Sequence, residues 1–165
     1  MKKADSIPDK ILPLPIALKR IAAWRVTGKT IAFTNGTFDI IHQGHIASLS
    51  HAAIQADYLV VGVNSDASVK RYKGPERPIN HEESRALLLA SLAVVDIVII
   101  FEEDTPYDLI KTILPDVLVK GGDYTIDQIV GAKEVIAHGG KVEITPIVDG
   151  FSTTNIIAKI KENKA

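Results

Sequence analysis

Two histidines three residues apart, His42 and His45, close the stretch Thr34-Asn35-Gly36-Thr37-Phe38-Asp39-Ile40-Ile41-His42-Gln43-Gly44-His45. Three residues is near one helical turn, so both imidazoles face one point if a helix begins between them. Imidazoles can donate to phosphate oxygens and stabilise charge growing on them in a transition state. The stretch follows the apolar run Thr30-Ile31-Ala32-Phe33 and precedes Ile46, Leu49, Ala53 and Ala56, apolar at helical steps, which predicts strand, polar loop, helix. At the carboxyl end of a parallel strand, free N–H groups and the positive helix end favour a phosphate. Gly36 and Gly44 are read as points where the backbone approaches that phosphate closely. The plainer alternatives are a chance pairing or half a metal site. Zinc-binding histidine pairs on a helix are more often spaced by four with a carboxylate nearby, and the chain has no cysteine to complete such a site.

Other segments offer partners for an anion. Lys70, Arg71, Lys73 and Arg77 crowd a loop-like stretch containing Gly74, Pro75 and Pro78, with Glu76 against them. Lys70, Lys73, Arg77 and Arg85 are candidates to neutralise a triphosphate or a sugar phosphate; a solvated charged face is the alternative, with Arg85 paired to Glu82 on its own helix. Lys120-Gly121-Gly122-Asp123 can bound a nucleoside pocket or simply turn the chain. Ser152, Thr153 and Thr154 stand at a helix start, where hydroxyls and N–H groups can hold distal phosphates, or where Ser152 or Thr153 only caps. His51, His81 and His138 carry no supporting pattern and are read as surface residues. Gly-x-Gly-x-x-Gly, the P-loop and the Gly-x-Ser-x-Gly elbow are all missing, which argues against a dinucleotide fold, a P-loop enzyme and that hydrolase class.

The elements that must position these groups alternate. Leu14 to Trp24 predicts a helix ended by Gly28, with Trp24 as a packing residue. Tyr58–Val63, Asp96–Phe101, Val117–Lys120 and Val142–Ile144 read as further strands, continuous in apolar character as buried parallel strands are. Helices are expected from Asn80, with Glu83 completing a capping box, from Thr105-Pro106 to Leu114-Pro115, and from Ile129 to His138. A last helix opens at Asp149-Gly150-Phe151-Ser152, with Ile156, Ile157 and Ile160 facing inward. Strands alternating with helices predict an α/β fold: a Rossmann-like three-layer sandwich whose five-stranded parallel sheet carries helices on both faces. Residues 1–13 are expected to be a flexible lead-in and residues 14–165 a single domain.

Composition sets outer bounds. The 165 residues carry a formal net charge of −1, so no global field draws nucleic acid or an acidic membrane. With no cysteine, disulfides, iron–sulfur clusters and cysteine nucleophiles are out. No run approaches the roughly 20 apolar residues of a bilayer span, and Met1-Lys2-Lys3-Ala4-Asp5 lacks the apolar core of a secretion signal, so a cytoplasmic protein is expected.

Gly36-Thr37-Phe38-Asp39, His42-Gln43-Gly44-His45 and Ser152-Thr153-Thr154 together resemble the cytidylyltransferase-like nucleotidyltransferases. Val63-Asn64-Ser65-Asp66-Ala67-Ser68-Val69-Lys70-Arg71, Gly74-Pro75-Glu76-Arg77-Pro78, Phe101 to Pro106, Leu118 to Tyr124 and Asp149 to Ile157 look like the adenylyltransferase domains of bacterial ADP-heptose synthases. The resemblance runs from Trp24 to Ile160. It implies transfer of AMP from ATP to D-glycero-β-D-manno-heptose 1-phosphate, releasing pyrophosphate. It assigns His42, His45 and Lys70 to catalysis. Asn35, Gly36, Thr37, Phe38, Gly44, Gly121, Asp123, Ser152, Thr153 and Thr154 are assigned to the nucleotide, and Arg77 and Arg85 to the acceptor phosphate. Asp39 is expected to order the loop. Mg2+ is implied, held mainly by the ATP phosphates, with no residue assigned to a metal. A separate heptose-7-phosphate kinase, an intervening phosphatase and a homodimer are further expectations. Relatives often have cysteine at the position of Thr37. Glycerol-3-phosphate cytidylyltransferases usually carry an arginine in the last motif, which Ile147-Val148-Asp149-Gly150-Phe151-Ser152-Thr153 lacks. The rival readings are a CTP-dependent enzyme acting on glycerol or another polyol phosphate, and a nucleotide-binding domain without catalysis.

Overall fold

The computed structural model describes residues 6–146 and 150–162; Asp149, expected to open the last helix, lies outside them. In chain order the elements are α1 (Leu14–Val26), β1 (Ile31–Gly36), α2 (Gln43–Ala53), β2 (Tyr58–Asn64), α3 (Asp66–Lys73), α4 (Glu82–Ser91), β3 (Ile97–Phe101), α5 (Tyr107–Ile113), β4 (Val117–Gly121), α6 (Ala132–Ala137), β5 (Lys141–Thr145) and α7 (Thr153–Glu162). The strands form one five-stranded sheet, ordered β3-β2-β1-β4-β5, with every pairing parallel. The order reverses between β1 and β4, which opens a crevice at their carboxyl ends.

Alternation along the strands fills two layers. Ile31, Phe33, Val60 and Leu118 pack with Ala17 and Ile21 of α1, Leu109, Ile110 and Ile113 of α5 and Val135 of α6. Ala32, Leu59, Val61, Val117 and Val119 pack on the other face with Leu49 and Ala52 of α2 and Ala86, Leu89 and Ala90 of α4. Both faces are covered, which explains why the strands read as unbroken apolar runs. Three aspartates fix strand starts: Asp57 accepts the Thr30 N–H at 2.9 Å, Asp96 that of Leu59 at 2.8 Å and Asp116 that of Ile31 at 2.8 Å. Trp24 stacks on Tyr58 with ring centroids 3.8 Å apart, the packing role expected of it.

Several local expectations change. Residues 7–12 are bound to the sheet edge: Ile11 bridges to Val98, the Leu12 N–H donates to the Val98 carbonyl at 2.9 Å, and Lys10 Nζ donates to the Val95 carbonyl at 2.6 Å. Asp66–Lys73, whose basic residues Lys70, Arg71 and Lys73 are expected in a loop, is helical, capped by the Ser65 hydroxyl accepting from the Ser68 N–H at 3.1 Å. α4 starts at Glu82 after His81, with no capping box, because the Asn80 side chain donates to the Asp39 carbonyl instead. Ile126–Gln128 forms a short 3-10 turn under a Thr125 capping box before α6 begins at Ala132. Ile160 of α7 is 51% exposed and does not face inward. No helix among the described residues is long and apolar enough to cross a membrane.

Candidate active site

α2 begins at the β1–β4 crevice. His42 is its N-cap residue, extended at φ −143°, ψ 172°, and makes no side-chain cap bond. Its carbonyl accepts the N–H groups of His45 at 2.9 Å and Ile46 at 3.2 Å, while among the described residues those of Gln43 and Gly44 have no protein acceptor. The two imidazoles stack, centroids 3.8 Å apart and 23° between planes. Nδ1 of each is buried without a hydrogen-bond partner. Burial first, and then repulsion from His42, pulls His45 down to about 4; burial also lowers His42. Both rings are therefore neutral at pH 7, and a neutral imidazole still keeps one N–H to donate.

The loop before α2 is fixed from behind. Asp39, 1% exposed, accepts the N–H groups of Ile79 and Asn80, each at 2.9 Å, and Arg77 Nε at 2.8 Å. Burial alone would raise its carboxyl; those N–H groups and the Arg77 charge more than offset it and leave the carboxyl below its usual range. Phe38 has φ +49°, which turns its ring back over Gly36 and beside His45, 5.2 Å between centroids. A Cβ on Gly36 would meet Phe38 Cε2 at 3.1 Å, and one on Gly44 would meet the His42 ring at 3.1 Å. These glycines make room for an aromatic and an imidazole ring, a packing reason beyond the phosphate approach first read into them.

The result is a cavity of about 520 Å³, within the usual range for a small-molecule site. Of the expected residues, Asn35, Gly36, Phe38, His42, Gly44, His45, Gly121 and Asp123 line it. Thr34, Ser48, Lys120, Gly122, Tyr124, Pro146 and Phe151 line it as well. Ser48 follows Gly44 by four, so helical spacing alone would have found it. Lys120 stands in the glycine-bearing stretch that the sequence singled out. Phe151 and Pro146 carry no local signal, since only the fold brings them across from α2.

Other expected residues lie elsewhere. Arg85 is 0% exposed; it donates to the carbonyls of Thr37 at 2.6 Å, Asn64 at 2.7 Å and Asn80 at 3.0 Å, and to Asp66 at 2.8 Å. A guanidinium so buried and engaged cannot reach an acceptor phosphate, and its carboxylate partner is Asp66 rather than Glu82. Arg77 pairs with Asp39 through Nε and its side chain is 15% exposed; its Nη2 makes no hydrogen bond among the described residues, and it does not line the cavity. Lys70 is exposed on α3 and does not line the cavity; the α3 cation felt by His45 is Lys73, itself lowered first by burial and then by Arg77. Thr37 is buried and its hydroxyl pairs with that of Tyr72. The Ser152 hydroxyl accepts the Asn155 N–H at 3.1 Å and so caps α7; Thr153 and Thr154 open that helix outside the cavity lining.

A sequence profile described as Cytidylyltransferase-like matches residues 33–159, which takes in both histidines and the start of α7. The chain is 54% identical over 154 residues to the bifunctional protein HldE of Paramagnetospirillum magneticum strain AMB-1, covering 93% of this chain and 32% of that one. It is 50% identical to HldE of Caulobacter sp. strain K31, with 95% of this chain covered and again 32% of the relative. The chain thus spans about a third of the length of these relatives. Among solved structures, a lipopolysaccharide core biosynthesis protein from Thermoplasma volcanium GSS1 superposes with a TM-score of 0.58 at 32% identity, over 73% of this chain and 98% of that one. Pantoate-beta-alanine ligase from Francisella tularensis, at 15% identity and a TM-score of 0.54 over 90% of this chain and 76% of that one, shares the fold alone. With a family profile spanning most of its length and the paired histidines at the start of α2, the chain belongs to the cytidylyltransferase-like family.

Proposed function

We propose that the chain is a sugar-phosphate adenylyltransferase that moves AMP from ATP to D-glycero-β-D-manno-heptose 1-phosphate, giving ADP-heptose and pyrophosphate. The observation that carries the reading is the stacked, neutral histidine pair beside the free N–H groups of α2, on the wall of a cavity of nucleotide size. The choice of ATP and heptose rests on the motifs shared with ADP-heptose synthases and on the 54% identity to HldE.

An acceptor phosphate oxygen attacks the α-phosphorus in line and expels pyrophosphate. That oxygen is already ionised at neutral pH, so the site needs no general base. Its work is to hold two mutually repelling anions together and stabilise charge on the phosphoryl oxygens. His42, His45 and the Gln43 and Gly44 N–H groups donate to the phosphoryl oxygens from one side. Phe151, which lines the cavity close to Gly44, immediately precedes Ser152 and the start of α7. That helix start is the proposed holder of the distal phosphates, although its own residues stand outside the lining. Asp123 lines the cavity where the nucleoside sits. Mg2+ would arrive held mainly by the triphosphate and would supply charge neutralisation there; among the described residues no cluster of three or more His, Asp or Glu side chains is placed to hold it. A cytoplasmic reaction is part of the same proposal. A sugar kinase and a phosphatase must supply the acceptor.

Pyrophosphate release by the purified protein, with heptose 1-phosphate, magnesium and either ATP or CTP, tests the reading. Release with ATP alone supports it. Release with CTP alone, on glycerol or polyol phosphate, transfers the assignment to a cytidylyltransferase, and ATP binding without release under any acceptor leaves a binding domain.

A further inference from the structure

The cavity crosses the sheet edge, and its two sides differ in chemistry. Asn35 follows Phe33 by two and Lys120 follows Leu118 by two, so both side chains leave the sheet on the face packed by α1, α5 and α6. The histidines approach from α2, on the opposite face. Lys120 Nζ touches Asn35 Oδ1 at 3.4 Å and, among the described residues, has no carboxylate partner, although Asp123 lines the same cavity. Burial lowers its pKa. An ammonium held out of water without a counter-ion is stabilised by whatever anion enters beside it.

Behind Lys120 a second cavity of about 190 Å³ opens toward the start of α5 and the turn before α6. Asn35, Lys120 and Tyr124 line both cavities and so stand between them. The smaller one is otherwise walled by Pro106, Gln128 and Ile129 with their neighbours, and it lies away from the α2 N-terminus that suits a triphosphate.

Building on the adenylyltransferase reading, we propose that Lys120 binds the phosphate monoester of the acceptor, with Asn35 holding the ammonium in place and the second cavity receiving the sugar. This puts the two anions on opposite sides of the β1–β4 edge. The nucleotide is held from the α2 side and the nucleophilic oxygen comes from the Lys120 side, an arrangement open to in-line attack. Lys120 then screens the repulsion between the two phosphates and takes the acceptor role expected of Arg77 and Arg85.

The test is steady-state pyrophosphate release by the full chain for wild type, Lys120→Met and Lys120→Arg, with ATP and heptose 1-phosphate varied separately. Loss of a charge-assisted contact is expected to raise the acceptor KM about tenfold or more in Lys120→Met, with the ATP KM within about twofold and partial recovery in Lys120→Arg. A raised ATP KM with an unchanged acceptor KM, or no change in either, overturns the assignment. Calorimetric ATP binding to Lys120→Met separates misfolding from a local effect: retained binding is expected, and its loss counts against an acceptor role. A wild type that releases no pyrophosphate with any nucleotide or acceptor defeats the transferase reading itself. In that case calorimetry with glucose 1-phosphate still decides on Lys120, since binding lost in Lys120→Met keeps the phosphate site and equal binding removes it.

Discussion

Arg85 Nη1 donates to the Thr37 carbonyl at 2.6 Å, across 48 residues of sequence, and Nη2 donates to the Asn64 carbonyl at 2.7 Å. One buried guanidinium therefore ties the chain leaving β1 to the end of β2, just before the chain turns toward the histidines. Replacing it strands three carbonyls, those of Thr37, Asn64 and Asn80, and the Asp66 carboxylate. Arg85→Met is expected to lose about 3–5 kcal/mol of stability, read as a lower urea midpoint. Under conditions where the variant stays folded, its acceptor KM should remain within about twofold of wild type, which a phosphate-binding arginine would not allow.

Gly44 separates catalysis from stability. An added methyl meets the His42 ring at 3.1 Å and Phe151 Cβ at 3.5 Å, so the imidazole must shift. Alanine is the better helix former by about 1 kcal/mol, which offsets part of the crowding. Gly44→Ala is expected to stay within about 1 kcal/mol of wild type in stability while turnover falls about 10- to 100-fold. Thermal melting alongside turnover checks both halves.

The histidine pair sets a pH dependence. His45 falls to about 4 in the folded chain from its ordinary 6.5, and His42 is lowered too. Between those values the unfolded chain binds more protons than the folded one, so stability rises with pH across the window. The contribution is fully present above pH 6.5 and is lost as pH falls toward about 4. Urea midpoints at pH 7.5 and pH 5.0 should therefore drop further in wild type than in His42→Gln/His45→Gln.

Much of this was legible where the signal was local. The β1 run, the glycines around the loop and the helical steps after His45 give strand, turn and helix without long-range information, and the buried strands show because both faces are covered. α3 escaped because only Ser68 and Val69 of it are buried, leaving no apolar period to see. Without that helix, nothing in the sequence tells which of Lys70 and Lys73 turns toward the site. Arg85 reads in the sequence as a ligand for the acceptor phosphate because the partners that bury it lie 48, 21 and 19 residues away, and no spacing rule reaches that far. Ile11 is the same case: its bridge to Val98 turns a polar lead-in into part of the sheet edge.

Asp39 gives a second check on the loop behind the histidines. Its carboxylate takes two backbone N–H groups and the Arg77 guanidinium. Asp39→Ala leaves that charge and those donors buried and is expected to cost about 3–5 kcal/mol. Turnover should fall as well, because the 35–42 segment loses its anchor. A variant with native stability would show that the loop is held by other contacts.

The central claim is that the paired histidines at the start of α2 stabilise the transferring phosphoryl group. Its most direct test is the single-turnover rate of pyrophosphate formation by His45→Ala at saturating ATP and heptose 1-phosphate, with melting measured on the same sample. The account expects a 10²- to 10³-fold slower rate, about 3–4 kcal/mol of transition-state stabilisation, in a folded protein. A folded His45→Ala that reacts at the wild-type rate would contradict it.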